Sequence, residues 1–201
     1  MQTRAVQLER PSAVHPLGTD NLGRDILSRV LNGARVSLGA ALLALVLIVL
    51  VGVTAGLVSG YRGGWIDAAL MRLADVVLAV PTFILVLAIV GLFRAGLAGV
   101  VLALCGVWWV RYARIVRGLV LAARERSFVE SARALGAGDA RILLRHLLPE
   151  VAAPVLVLAT LDVGTMVLAV SAFNFLGLGA ARAHLPGAGA DRRRSRVQPA
   201  R

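Results

Sequence analysis

Apolar and charged positions divide the chain into long uncharged runs and short basic connections. No charged residue stands between Arg35 and Arg62, and roughly 26 residues at a 1.5 Å rise exceed a hydrocarbon core. This run predicts a membrane-crossing helix. A second run, Val76 to Phe93, begins after Asp75 and carries Pro81 near its first turns. A third, Ala95 to Val110, is short and is expected to continue past Arg111 and Tyr112. The arginine would then snorkel, with Trp108, Trp109 and Tyr112 as an interfacial belt. A fourth run extends from Val151 to about Gly179, interrupted by one acid, Asp162. In the first run Gly52, Gly56 and Gly60 recur every four residues, which gives one helix face a smooth stripe for close packing against another backbone.

Composition supports this pattern. The 201 residues are 58% hydrophobic with a net charge of +11, and every basic charge is arginine. Such a chain is too apolar for an ordinary soluble domain and too interrupted for a single span. The arginines flank apolar runs, so lipid headgroups explain them better than nucleic acid does. Cys105 is the sole cysteine, sits in an apolar run and can form no intrachain disulfide. His15, His146 and His184 lack ligand spacing, so no metal site is expected. A phosphate-binding loop of the Walker type requires lysine, which the chain lacks. No catalytic constellation is present, so the chain is read as a non-enzyme. Met1 to Asn21 has no apolar core of a secretory signal.

The connection between the third and fourth runs carries Arg111, Arg114, Arg117, Arg124, Arg126, Arg133, Arg141 and Arg145 against Glu125, Glu130, Asp139 and Glu150. The positive-inside rule makes it cytoplasmic. Counting back places the segment 1–35 outside the cytoplasm, and counting forward places 180–201 outside as well. That tail holds Arg192, Arg193, Arg194 and Arg196, against the same rule, and is expected to be disordered or non-native.

Within the basic connection, Ser127 is a candidate N-cap with Glu130 three residues on, the spacing of a capping box. Phe128, Ala132 and Leu135 share one face of the short helix this predicts, and Gly136 suits a left-handed C-cap. Asp139 can cap a second short helix through Ile142, Leu143 and Leu147 as far as Pro149. The product is a helical hairpin able to fit a soluble partner's groove and to move as a rigid body.

The same residues resemble the coupling motif of binding-protein-dependent ABC permeases: Glu-Ala-Ala, three residues, Gly, nine residues, Ile, one residue, Leu-Pro. Glu130, Ala132, Gly136, Leu148 and Pro149 fit, Ser131 replaces one alanine, and His146 stands at the isoleucine position. HPLGTDNLGRDILSRVLNGARVSL (His15 to Leu38), the stretch around Pro81, WWVRYARIVRG (Trp108 to Gly118) and FLGLG (Phe175 to Gly179) are similar to permeases of the dipeptide, oligopeptide and nickel group. LVLATLDVG (Leu156 to Gly164) resembles nickel permeases in particular.

The resemblance implies an all-α, polytopic membrane bundle of the type I ABC importer permease kind. About four of the family's six helices are present, so truncation at both ends is expected. The membrane domain is expected at 36–179, with a cytoplasmic coupling loop at 113–149. Phe128, Glu130, Ser131, Ala132, Gly136, Leu148 and Pro149 would contact the ATPase. Implied partners are a homologous permease subunit, two ATP-binding subunits that hold the ATP, an extracytoplasmic substrate-binding protein and the lipid bilayer of a bacterial inner membrane. The alternative is a truncated or decayed permease that inserts without transporting.

Two features stay open at this level. Asp162 is either a cation-attracting residue on the translocation path or a group that makes an interhelical hydrogen bond or lies nearer the interface. Asp20, Asp25, Arg24 and Arg29 form either a surface for a binding protein or a locally paired loop.

Overall fold

The computed structural model describes residues 8–92 and 96–178. The Arg-rich tail at 180–201, Gly179 of the FLGLG motif, and Phe93 and Ala95 at the edges of two apolar runs lie outside the described residues. The described chain is helical, with one isolated bridge between Thr19 and Asp25. Helix α1 (Ile26–Arg62) begins well before the uncharged run because Asp25 caps it, accepting hydrogen bonds from the Ser28 backbone N–H at 2.9 Å and its hydroxyl at 2.6 Å. Arg29 and Arg35 therefore belong to the helix.

The glycine stripe forms the main interface of the fold. Gly52 lies against Tyr112 and Trp109, Gly56 against Ala113 and Val116, and Gly60 against Val120, all on α4 (Leu97–Arg124). A Cβ added at Gly56 would stand 2.6 Å from the Ala113 carbonyl oxygen and 2.7 Å from Val116 Cβ. Only glycine lets the backbones approach so closely, which is the small-residue packing expected of membrane helices. Residue numbers rise together along this seam, so α1 and α4 run parallel.

Parallel helices require the intervening chain to return, and a broken span does so. Helices α2 (Gly64–Ala79) and α3 (Thr82–Leu92) meet at 97°. The second apolar run is therefore not one straight helix. Val80 before Pro81 is extended (φ −100°, ψ 134°), because the proline ring excludes the helical conformation from its predecessor. From Asp67 beside Arg117, through Asp75 beside Arg114, to Ile89 against Gly106, the pair runs antiparallel to α4.

Beyond α4 come α5 (Ser127–Ala134), α6 (Asp139–Ile142), a π turn over Leu143–Leu147 and α7 (Leu148–Phe175). Helix α7 is antiparallel to α4: the Gly96 N–H donates to the Leu178 carbonyl at one end, and Arg126 pairs with Glu150 at the other. By length and composition α1, α4 and the stretch Asp139–Phe175 can each cross a membrane, and the number rises to four if the bent pair counts as one span. Leu43, Val46 and Leu50 on α1 and Leu156, Leu161 and Leu168 on α7 are exposed, a surface suited to acyl chains or further helices rather than water.

The third run does continue past Arg111, but not as an interfacial belt. Tyr112 and Trp109 are buried in the bundle, and the Trp109 indole N–H donates to the Gly106 carbonyl. Arg111 turns to Asp162 instead of snorkelling.

Candidate functional site

The hairpin starts where α4 ends in a tight turn, the Arg126 N–H bonding the Ala123 carbonyl at 3.1 Å. Arg126 therefore takes the N-cap position with extended backbone, and Ser127 is already helical. The Ser127 and Glu130 side chains make no cap bonds to α5, so the capping box does not form. Val129, which the facial pattern omitted, is the residue α5 buries, with Ala132 half-buried one turn on. Phe128, Glu130, Ser131 and Leu135 are exposed, Leu135 by 88%.

The C-terminal prediction is met in detail. Gly136 has φ +78°; its N–H bonds the Arg133 carbonyl at 2.9 Å, and the Ala137 N–H bonds the Ala132 carbonyl at 3.0 Å. These paired bonds constitute a Schellman motif, which satisfies the last carbonyls and sets the exit direction of the chain. Glycine is required because a side chain is strained at this φ.

Asp139 does not cap the helix it begins; Gly138 occupies the N-cap. Its carboxylate accepts a hydrogen bond from the Tyr61 hydroxyl at 2.7 Å, and the Arg133 guanidinium stands 5.3 Å above the Tyr61 ring. Tyr61, at the end of α1, is thus held by both arms of the hairpin, a cation–π contact above its ring and a hydrogen bond at its tip. Arg124 adds a hydrogen bond to the Gly60 carbonyl at 3.1 Å.

The second arm is continuous with α7, so Pro149 does not separate them. Proline has no N–H for the carbonyl of Arg145, and its ring crowds that carbonyl. The wider π turn over Leu143–Leu147 absorbs the mismatch. His146, at the motif's isoleucine position, brings its ring to 6.3 Å from Phe128 and so packs the two arms together. Leu148 is half-buried beside Leu144 and Val151, while Pro149 is exposed. The predicted coupling residues therefore fall into an outward set, Phe128, Glu130, Ser131, Gly136 and Pro149, and an inward set, Ala132 and Leu148.

Above the hairpin, Arg117 on α4 grips Asp67 on α2 through two bonds of 2.6 Å, and the buried Ser59 hydroxyl of α1 donates to the same carboxylate. This bidentate geometry locks three helices at one level. Neither Tyr61 nor the Arg117–Asp67 pair was predicted from sequence; the only local signal was polar residues bordering apolar runs.

Asp162 is 4% exposed. It accepts hydrogen bonds from the Arg111 guanidinium at 2.8 and 3.2 Å and from the Tyr112 hydroxyl at 2.8 Å. Its charge is satisfied between α4 and α7. The N-terminal acids are also locally paired: Arg24 at 3.1 Å and Arg29 at 2.5 Å both reach Asp20, and His15 lies 3.3 Å from Asp25. Backbone N–H bonds from Arg24 and Leu22, with the Arg24 charge, hold the Asp20 carboxyl down to about 2. Bonds from Ser28, then His15, lower that of Asp25.

Several apolar helices, a charge-locked interior and an exposed hairpin between two spans define a polytopic helical membrane protein. The chain belongs to the family of binding-protein-dependent transport system inner membrane components, whose model matches residues 52–185. It is 46% identical over 173 residues to the nickel transport system permease protein of Escherichia coli K12, a match covering 86% of this chain and 62% of the relative. It is 41% identical over 172 residues to the glutathione transport system permease protein of Pectobacterium atrosepticum, covering 86% and 57%. It is also 41% identical over 174 residues to the dipeptide transport system permease protein of Alkalihalophilus pseudofirmus, covering 87% and 57%. The matched region thus spans 57–62% of the length of these curated relatives.

Proposed function

We propose that the chain acts as a permease subunit of an ATP-driven importer in a bacterial cytoplasmic membrane, with the 127–149 hairpin transmitting the movement of a partner ATPase to the spans. The supporting observation is the hairpin's two-sidedness. Its outer surface presents Phe128, Glu130, Ser131 and Leu135, while Tyr61 ties its inner surface to the end of α1. A push on the outer surface therefore reaches α1 directly, and α4 through the glycine seam.

Two ATP-binding subunits, a homologous permease and an extracytoplasmic binding protein complete the proposed assembly. Its cycle is alternating access, in which ATP closes the ATPase pair and the spans open outward. The substrate is proposed from the classes its relatives are named for: nickel, glutathione or dipeptides.

The test is Gly136→Asp, which keeps the apolar spans but puts a side chain at φ +78° on the docking surface. Coexpressed with its transporter partners, the variant should remain in the membrane and lose ATPase recruitment or ATP-dependent uptake. Normal recruitment together with normal uptake would refute the proposal.

A further inference from the structure

Charged groups inside a membrane helix bundle are costly unless paired or facing a cavity. Arg111 and Asp162 stand midway along α4 and α7. At 1.5 Å per residue each lies roughly 20 Å from the end of its helix near the Gly96–Leu178 bond, which puts the pair in the half of a ~30 Å core nearer the hairpin. The pair is asymmetric. Asp162 is buried and accepts three hydrogen bonds, whereas the Arg111 side chain is 54% exposed and uses only Nη1. Among the described residues, its Nε and Nη2 donors have no partner.

These donors belong to a side chain lining a cavity of about 220 Å³, together with Leu78, Thr82, Val107 and Trp108. Leu78 and Thr82 flank the Pro81 break, so the cavity opens where the broken span bends. Asp162 and Tyr112 fix one edge of the guanidinium and leave its other donors for an incoming group. A planar guanidinium with free N–H groups matches the two oxygens of a carboxylate. The Trp108 ring beside it offers apolar contact for the rest of a small solute. A cation would meet a guanidinium here, with the Asp162 carboxylate already occupied.

We propose that Arg111 is a recognition point for a carboxylate on the transported solute and that Asp162 is its positioning residue. The inference rests on the transport reading above for the word transported, while the binding test needs only this chain. It predicts selection for small carboxylate-bearing solutes over analogues whose carboxylate is replaced by a carboxamide.

The full chain in phosphatidylcholine nanodiscs, with Trp65→Phe to remove the exposed indole and Trp109→Phe to leave Trp108 as the one emitter, allows Trp108 fluorescence to be titrated with dialanine and with dialanine amide. Dialanine should give a saturable change and bind about tenfold or more tightly than the amide, as expected for one charge-assisted contact. The double variant Arg111→Gln with Asp162→Asn removes both charges and should lose that preference, while Arg111→Lys should retain part of it. Equal binding of acid and amide, absence of saturation, or an unchanged preference in the double variant would overturn the proposal. If the double variant does not fold, the acid and amide comparison on unaltered Arg111 still decides. No ATPase is present, so failure here leaves the hairpin test standing, and the converse also holds.

Discussion

The seam between α1 and α4 and the hairpin beyond α4 keep their shapes by opposite means. Along the seam, three glycines remove the side chains that would separate the backbones, and the helices touch over the roughly two turns from Gly52 to Gly60. In the hairpin, α5 buries only Val129 fully, and shape comes from polar closure: the Gly136 turn, the Tyr61 ties and the packing of Phe128 on His146. A seam without free space moves as one body. A hairpin fastened at a few points can be gripped from outside without unpacking the spans, and under the proposed function the hairpin receives force that the seam transmits.

The contrast should break first at the seam. Gly56→Leu forces a side chain into the Ala113 carbonyl and Val116, and should cost about 3 kcal/mol of stability in detergent. Gly33→Ala and Gly39→Ala, with nothing within 4 Å, should change stability little. Thermal unfolding followed by circular dichroism makes the comparison, and equal losses at all three sites would remove the seam's special role.

Next comes the charged pair level with the Gly52 end of the seam. Asp162→Ala leaves Tyr112 and Arg111 without their acceptor and should cost about 2 kcal/mol, less than a fully buried pair because Arg111 is half exposed. The same unfolding measurement checks it, and wild-type stability would show that the pair contributes nothing.

In the hairpin itself, Gly136→Ala should cost about 1 kcal/mol through its positive φ. The loss should appear locally, as faster hydrogen exchange over 127–137 with unchanged exchange in the seam. Uniformly faster exchange would mean that the two regions are not separable.

Much of this difference could be read from sequence, and the reasons for the exceptions are physical. Uncharged runs reveal spans because hydrocarbon excludes charge over a fixed length, and Gly136 reveals a turn because few residues tolerate its φ. The four-residue glycine spacing marked the packed face of α1 but not its partner. The Tyr61–Asp139 and Arg117–Asp67 pairs remained hidden because they exist only once α1 and α4 lie parallel. The angle at Pro81 depends on what α3 packs against, including Phe83 against Phe173 at 5.4 Å. Ser127 has a cap's sequence context, but the tight exit from α4 places Arg126 in the cap position.

The smallest effect concerns the N-terminal segment, remote from both regions. Because the folded-state carboxyl of Asp20 is lowered from 3.8 to about 2, its contribution is present above the unfolded value and is lost as pH falls from about 4 through about 2. A probe on the 8–25 segment should loosen across that window while the seam stays unchanged. No change down to pH 2 would contradict the Asp20 assignment.

The most direct measurement of hairpin docking uses Leu135→Cys in a Cys105→Ala background. A membrane-impermeant maleimide should label this cysteine in inside-out vesicles only, and labelling should fall when the cognate ATP-binding subunits are assembled on the membrane. Labelling from the opposite side, or labelling that the ATPase leaves unchanged, would contradict the proposal that the hairpin is the cytoplasmic docking element.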